Sequence, residues 1–232
     1  MSRWNTAVLA AEYRAAYYAD ATDPRIDAWA ASNAAIWDVL ANQIVALHPA
    51  AKSLLDVGSG TGGFLARMSA RCPSISLAAV EPSEAARTSL ARRLGHVSIP
   101  ARSAEELDSV TSAYDVITML QTLEHLPDPV AACQHAHRCL RPGGLLLVTV
   151  PNRNSVAVWF GGRKAGCYAN GTHLHFFSRS GLLLTLRRAG FRRVRRLVGF
   201  GGGQHTNVAL QSVQYALRAL GWSSELRMAA WR

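Results

Sequence analysis

The chain has 232 residues, 49% of them hydrophobic, which is enough to bury a substantial core within a single α/β-sized domain. Arg3, Glu12, Arg14 and Asp20 interrupt the first thirty residues and exclude a signal peptide's apolar core; no later apolar run approaches the roughly 18 residues of a spanning helix, so a cytoplasmic location is expected. Cys72, Cys133, Cys139 and Cys167 lack the spacing of structural zinc sites and are too few for a disulfide scaffold. The net charge of +10 is spread along an arginine-rich chain with lysine only at Lys52 and Lys164. Its densest cluster, Arg187, Arg188, Arg192, Arg193, Arg195 and Arg196, reads as a solvated helix end and strand edge. Nucleic acid is therefore not expected as a partner, although a peripheral contact with an anionic membrane surface stays open.

In chain order, Trp29, Ile36, Trp37, Leu40, Ile44 and Leu47 recur at helical spacing, and Pro24 separates them from an earlier alanine-rich and tyrosine-rich helix. A β, α rhythm follows. Strands are expected at Ser53 to Val57, Ile75 to Val80, Val97 to Ile99, Tyr114 to Leu120 and Leu145 to Val150. Helices are expected at Gly62 to Arg71, Ser83 to Leu94, Ala104 to Val110 and Pro129 to Leu140. This alternation predicts a doubly wound α/β fold with a mostly parallel sheet covered on both faces. After Pro151 a Gly-rich and Asn-rich stretch through Gly171 reads as a loop over the site. A helix from Arg179 to Ala189, a strand from Phe191 to Val198, a turn at Gly201 to Gly203, a helix near Val208 to Leu220 and a final antiparallel edge strand complete the expected order. The whole reads as one domain: a helical cap over 1–50, a cofactor-binding core over 51–150, and a lid with the last elements over 151–232.

The run from Leu54 to Gly63 places Gly58, Ser59, Gly60, Thr61 and Gly62 between a buried strand and a helix, where such folds bind ligands. Gly58, Gly60 and Gly63 also satisfy the dinucleotide fingerprint, so a nicotinamide or flavin oxidoreductase is the first rival. Glu81, closing the second strand, suits the ribose hydroxyls of either cofactor. Asp56 separates the two readings: a carboxylate just before the first glycine repels a pyrophosphate but attracts an amino-acid ammonium.

Leu55-Asp56-Val57-Gly58-Ser59-Gly60-Thr61-Gly62 resembles the first motif of class I S-adenosylmethionine-dependent methyltransferases, which have a Rossmann-like fold. Glu81-Pro82 resembles their acidic end of strand two, Tyr114-Asp115-Val116-Ile117 their fourth strand, and Leu140-Arg141-Pro142-Gly143-Gly144 the turn before their fifth. The resemblance implies S-adenosylmethionine as cofactor. Asp56, Gly58 and Gly60 would face its methionyl part, Glu81 its ribose, and Ser103, Ala104 and Glu105 its adenine, with Leu120 and Gln121 bordering the sulfonium.

Leu123-Glu124-His125-Leu126-Pro127-Asp128-Pro129, His173-Leu174-His175-Phe176-Phe177-Ser178 and Ala189-Gly190-Phe191 are similar to the subgroup of ubiquinone-biosynthesis O-methyltransferases. In those enzymes a Glu-x-x-Glu-His cluster is associated with a divalent cation. Here Gln121 replaces the first glutamate, so no required metal is expected. The motifs of DNA-base methyltransferases, catechol-type metal enzymes and protein arginine methyltransferases are absent. A small-molecule acceptor methylated on oxygen is the expectation, with His125, His173 and His175 as candidate bases, the last two sharing one face if their segment is a strand. The alternative is a non-catalytic cofactor-binding or basic RNA-binding protein of the same fold. Tyr13, Tyr17, Tyr18, Trp29 and Trp37 read as core rather than as an acceptor pocket. The helical pairs Cys133 with His137 and His135 with Cys139 read as packing.

Overall fold

The computed structural model describes residues 24–104, 106–107, 113–198, 216–217 and 219–232, and from residue 30 onward their side chains except at 163, 166 and 169. Helix α1 (Pro24–Leu47) opens on a proline, tolerated in the first turn because that N–H has no intrahelical partner. Then come β1 (Ser53–Val57), α2 (Gly63–Arg71), β2 (Ser76–Val80), α3 (Glu84–Arg93), β3 (Ser98–Ala101) and β4 (Tyr114–Leu120). A 3-10 turn at Leu123–His125 leads to α4 (Pro129–Cys139), capped by the Asp128 carboxylate on the Ala131 N–H, and to β5 (Leu140–Pro151). Short helices α5 (Val156–Gly161) and α6 (Gly166–Ala169) precede α7 (Arg179–Arg188), β6 (Arg193–Arg196) and β7 (Glu225–Trp231).

The strands form one seven-stranded sheet in the order β3-β2-β1-β4-β5-β7-β6. β1 to β5 are parallel and β7 runs antiparallel to both neighbours. Strand order reverses between β1 and β4, so a ligand crevice belongs at the carboxyl ends of those two strands. Successive strand residues supply opposite cores. Leu54, Leu77, Val116, Leu145 and Ala229 pack with α1 and α2 through Trp37, Leu40, Ile44, Phe64 and Met68. Leu55, Ala78, Ile117, Leu146 and Ala230 pack with α4 and α7 through Cys133, Ala136, Leu182 and Leu186. That is the two-sided burial the apolar strands require.

Several expectations need correction. The final strand is antiparallel as expected, but β6 lies outside it and forms the edge. Arg193 and Arg195 lay their guanidinium groups 4.5 and 6.0 Å from the Trp231 ring centroid, so charged side chains guard that edge. β6 is shorter than Phe191 to Val198 because Phe191 turns into the core against the His137 ring. β5 begins at Leu140 rather than Leu145, with a register irregularity opposite Tyr114 and Val116 that Gly143 accommodates at φ +78°. The stretch after Pro151 is not plain loop: the Ser155 hydroxyl caps α5 by accepting from the Val158 N–H at 3.3 Å.

The earlier N-terminal helix, the turn at Gly201 to Gly203 and most of the helix near Val208 to Leu220 lie outside the described residues, as does Glu105; residues 216–217 and 219–220 are helical. Of the aromatic group, the Trp37 side chain is described and is core. All four cysteines are free thiols. Among the described residues no helix is long and apolar enough to cross a membrane.

Candidate functional site

β1 ends at Val57 and the chain turns through Gly58 to Gly62 into α2, with Gly58, Gly60 and Gly62 at φ +78°, +53° and +78°. The turn is tied to β2 by the Gly58 and Ser59 N–H groups, which donate to the Val80 carbonyl at 2.8 and 3.3 Å. Gly58 admits no other residue without rearrangement: a Cβ there would sit 2.4 Å from Thr122 Oγ1 and 2.6 Å from its Cγ2. Ser59 and Thr61 are buried, and Ser59 Oγ has no hydrogen-bond partner.

Two buried carboxylates flank this turn. Asp56 accepts the Thr118 hydroxyl at 2.6 Å. Burial pushes its carboxyl up to about 7, with the Thr118 bond opposing and the charge of Glu81 adding to the rise. Glu81 accepts the Gly60 N–H at 2.8 Å and the Ser83 N–H at 2.9 Å, so it latches the glycine turn onto the start of α3. Burial raises its carboxyl as well, against those two bonds. Pro82 contributes its carbonyl to Arg87, which also caps the Glu81 carbonyl. Ser103 and Ala104 follow β3, where the Ala104 carbonyl meets His135 Nδ1 at 3.0 Å.

Leu120 ends β4 half-buried, and Gln121 after it has φ +54°, the only positive φ of a non-glycine among the described residues. Holding glutamine there costs about 1–2 kcal/mol, and the surroundings enforce it. The Gln121 N–H donates to the Thr149 carbonyl at 2.9 Å, and its side-chain amide donates to Glu225 Oε2 at 2.9 Å and to the Thr149 hydroxyl at 3.3 Å. Glu225 is paired in turn with Arg227. Gln121 is thus directed toward β5 and β7.

The 3-10 turn carries Glu124 and His125. Glu124 is fully buried, neither carboxylate oxygen has a hydrogen-bond partner, and burial pushes it up to about 8. His125 Nε2 lies 3.9 Å from Glu124 Oε1, while Nδ1 meets the Thr172 carbonyl at 3.1 Å; burial holds this imidazole down to about 4. His173 packs edge-on to His125 with ring centroids 4.8 Å apart, and its Nδ1 meets the Cys167 carbonyl at 2.8 Å. His175 does not join them. Its segment forms no strand, and its ring faces the Pro127 carbonyl and Phe177 instead. The Leu174 and His175 N–H groups both donate to the Glu124 carbonyl, at 2.9 and 3.1 Å, pinning this segment to the turn after β4.

Sequence reasoning missed Thr118, Thr122, Thr149 and Glu225. Thr118 was reachable, because in-register parallel pairing of the first and fourth strands sets it beside Asp56. Glu225 sits 104 positions from Gln121 and carries no local signal.

Curated relatives are ubiquinone biosynthesis O-methyltransferases: that of Pseudomonas paraeruginosa is 32% identical over 114 residues, covering 48% of this chain and 49% of the relative, and that of Xanthomonas axonopodis pv. citri is 33% identical over 157 residues, covering 63% and 65%. The first match thus spans about half the length of each protein. Among solved structures, an S-adenosylmethionine-dependent methyltransferase of Thermotoga maritima superposes with a TM-score of 0.66 at 21% identity, covering 95% of this chain and 99% of that one. The [4+2]-cyclase SpnF superposes at 0.59 and 21% identity, covering 84% and 80%, so the fold alone does not fix a reaction. The family model described as a methyltransferase domain matches residues 30–196, most of the chain, and the protein belongs to this family of S-adenosylmethionine-dependent methyltransferases.

Proposed function

We propose that the enzyme methylates an oxygen of a small-molecule acceptor, binding its donor at the carboxyl ends of β1, β2 and β4. The observation that carries the donor reading is the pair of buried carboxylates, Asp56 and Glu81, on either side of the glycine turn. They suit an ammonium and two ribose hydroxyls and disfavour a pyrophosphate. When bound, S-adenosylmethionine would supply a sulfonium-bound methyl group, and its transfer to oxygen would be an in-line displacement that releases S-adenosylhomocysteine and the acceptor's proton.

Asp56, Gly58 and Gly60 hold the methionyl part, with the orphan Ser59 hydroxyl, Thr61 and Gly62 completing the cradle. Each Glu81 oxygen accepts one main-chain N–H and keeps a further lone pair for ribose. Pro82, Ser103 and Ala104 border the adenine, and Leu120 with Gln121 borders the sulfonium. The protein's part is alignment and exclusion of water. The acceptor oxygen belongs beside Glu124, His125 and His173, while His175 stays peripheral. The names of the curated relatives support oxygen as the atom methylated. Exposed Trp159 and Phe160, and the Tyr168 and Phe176 rings 4.7 Å apart, suit an apolar acceptor under a cover formed by residues 152–176. We read residues 1–232 as one catalytic domain, with 1–50 as its cap. Replacing Asp56 or Glu81 by alanine is expected to weaken donor binding tenfold or more, roughly the 1.5–3 kcal/mol of a hydrogen bond to a charged group. Unchanged affinity by calorimetry would refute the assignment.

A further inference from the structure

The two-carboxylate cation cluster that the resemblance implies does not fit this chain. Its first position is Gln121, whose amide is committed to Glu225 and Thr149. Its other two positions, Glu124 and His125, are kept, and a third donor, His173, reaches them from the cover segment. One oxygen of Glu124 and one ring nitrogen each of His125 and His173 all lie within 4.8 Å of one another.

We infer that Glu124, His125 and His173 form a two-histidine, one-carboxylate site for a divalent transition-metal ion of the zinc type, and that this ion fastens the cover segment to the turn after β4. The inference deepens the reading above and rests on it only in placing the cluster on the acceptor side.

Three observations carry it. First, Glu124 is 0% exposed and neither of its oxygens has a hydrogen-bond partner, an arrangement that is costly unless a cation or donor completes it. Second, both histidines present Nδ1 to a main-chain carbonyl, of Thr172 at 3.1 Å and of Cys167 at 2.8 Å. A carbonyl can only accept, so each Nδ1 carries the proton and each Nε2 is a lone-pair donor; metal-ligating histidines are oriented in this way. Third, the donors come from two segments already joined by the Leu174 and His175 N–H bonds to the Glu124 carbonyl. An ion bridging them adds a side-chain link to that main-chain one.

Two imidazoles and one carboxylate select zinc, cobalt or nickel over magnesium, which prefers oxygen ligands and keeps several waters. Metal bonds of about 2.1 Å put tetrahedral donors roughly 3.4 Å apart. The trio therefore contracts on loading and draws the His173 segment inward.

The test uses the full chain stripped of metal with a chelator and titrated with zinc, and separately with magnesium, by calorimetry. One zinc per chain is expected, with micromolar or tighter affinity, a melting temperature raised by about 5–10 °C at saturation, and slower proteolysis within residues 152–176. Magnesium should do none of these. Cobalt should give the visible spectrum of a nitrogen and oxygen tetrahedral site without a thiolate charge-transfer band, which separates this site from Cys167. His173→Ala and Glu124→Gln should each weaken zinc at least tenfold, with S-adenosylhomocysteine affinity unchanged in His173→Ala. Absence of stoichiometric zinc, zinc affinity indifferent to both substitutions, or a preference for magnesium would overturn the inference. Loss of donor binding in the wild type would instead count against the donor assignment and leave the metal site standing.

Discussion

Asp56→Asn is expected to make the ligand-free protein more stable at neutral pH. Burial between β1 and β4 pushes the folded Asp56 carboxyl up to about 7 from its ordinary 3.8, outweighing the bond from Thr118. Between those two values the folded chain keeps a proton that the unfolded chain has released, so stability falls as pH rises through that window and levels off above it. At about 1.36 kcal/mol per unit, the wild type carries a cost near 1.6 kcal/mol at pH 5 and near 4 kcal/mol at pH 8. Asparagine can still accept the Thr118 hydroxyl and has no charge to bury. The stability of Asp56→Asn relative to the wild type should therefore grow by roughly 2.5 kcal/mol between pH 5 and pH 8. Urea unfolding of both proteins at four pH values measures this, provided the slope m is shared. A constant difference across the range would refute the reasoning. On the proposed role, donor affinity of the wild type rises with pH until about 7 and then levels, since an ammonium needs the ionised carboxylate, whereas Asp56→Asn binds weakly throughout.

Gly58→Ala combines a left-handed backbone with a Cβ 2.4 Å from a β-branched side chain that has little room to turn. It should cost about 2–4 kcal/mol in urea unfolding, part of it recovered by Thr122→Ser. Gly63→Ala would drive a Cβ to 2.4 Å from the Trp37 ring, where α1 crosses α2; overpacking of about 1–3 kcal/mol should lower the melting temperature by roughly 2–12 °C. Trp37→Leu in the same chain should reverse most of that loss, and no reversal would mean that the ring is not the obstacle.

Much of the parallel half of the fold was legible because β1, β4 and β5 are apolar on both faces: Leu54 and Leu55 alone already feed the two opposite cores. Most of the helix expected at Ala104 to Val110 lies outside the described residues, and β3 is exposed at three of its four positions. The glycine turn was legible because backbone conformation limits it to glycine, and Asp56 and Glu81 because their places follow from strand ends. What depended on long-range pairing was not. Nothing in Glu225–Trp231 dictates insertion between β5 and β6, and Arg227, buried in its middle, argues locally against a core strand. The pairing of His173 with His125 rather than with His175 follows from the two main-chain bonds to Glu124, which replace strand alternation with a pinned loop. His173 and His175 could be read as a pair along the sequence, but that His173 alone comes within 4.8 Å of Glu124 and His125 depends on how the cover folds back, which no local pattern encodes.

Calorimetry of the purified protein with S-adenosylmethionine, S-adenosylhomocysteine and NAD tests the central claim most directly. The account predicts micromolar, one-to-one binding of both sulfur compounds and none of NAD. Binding of NAD alone would contradict it.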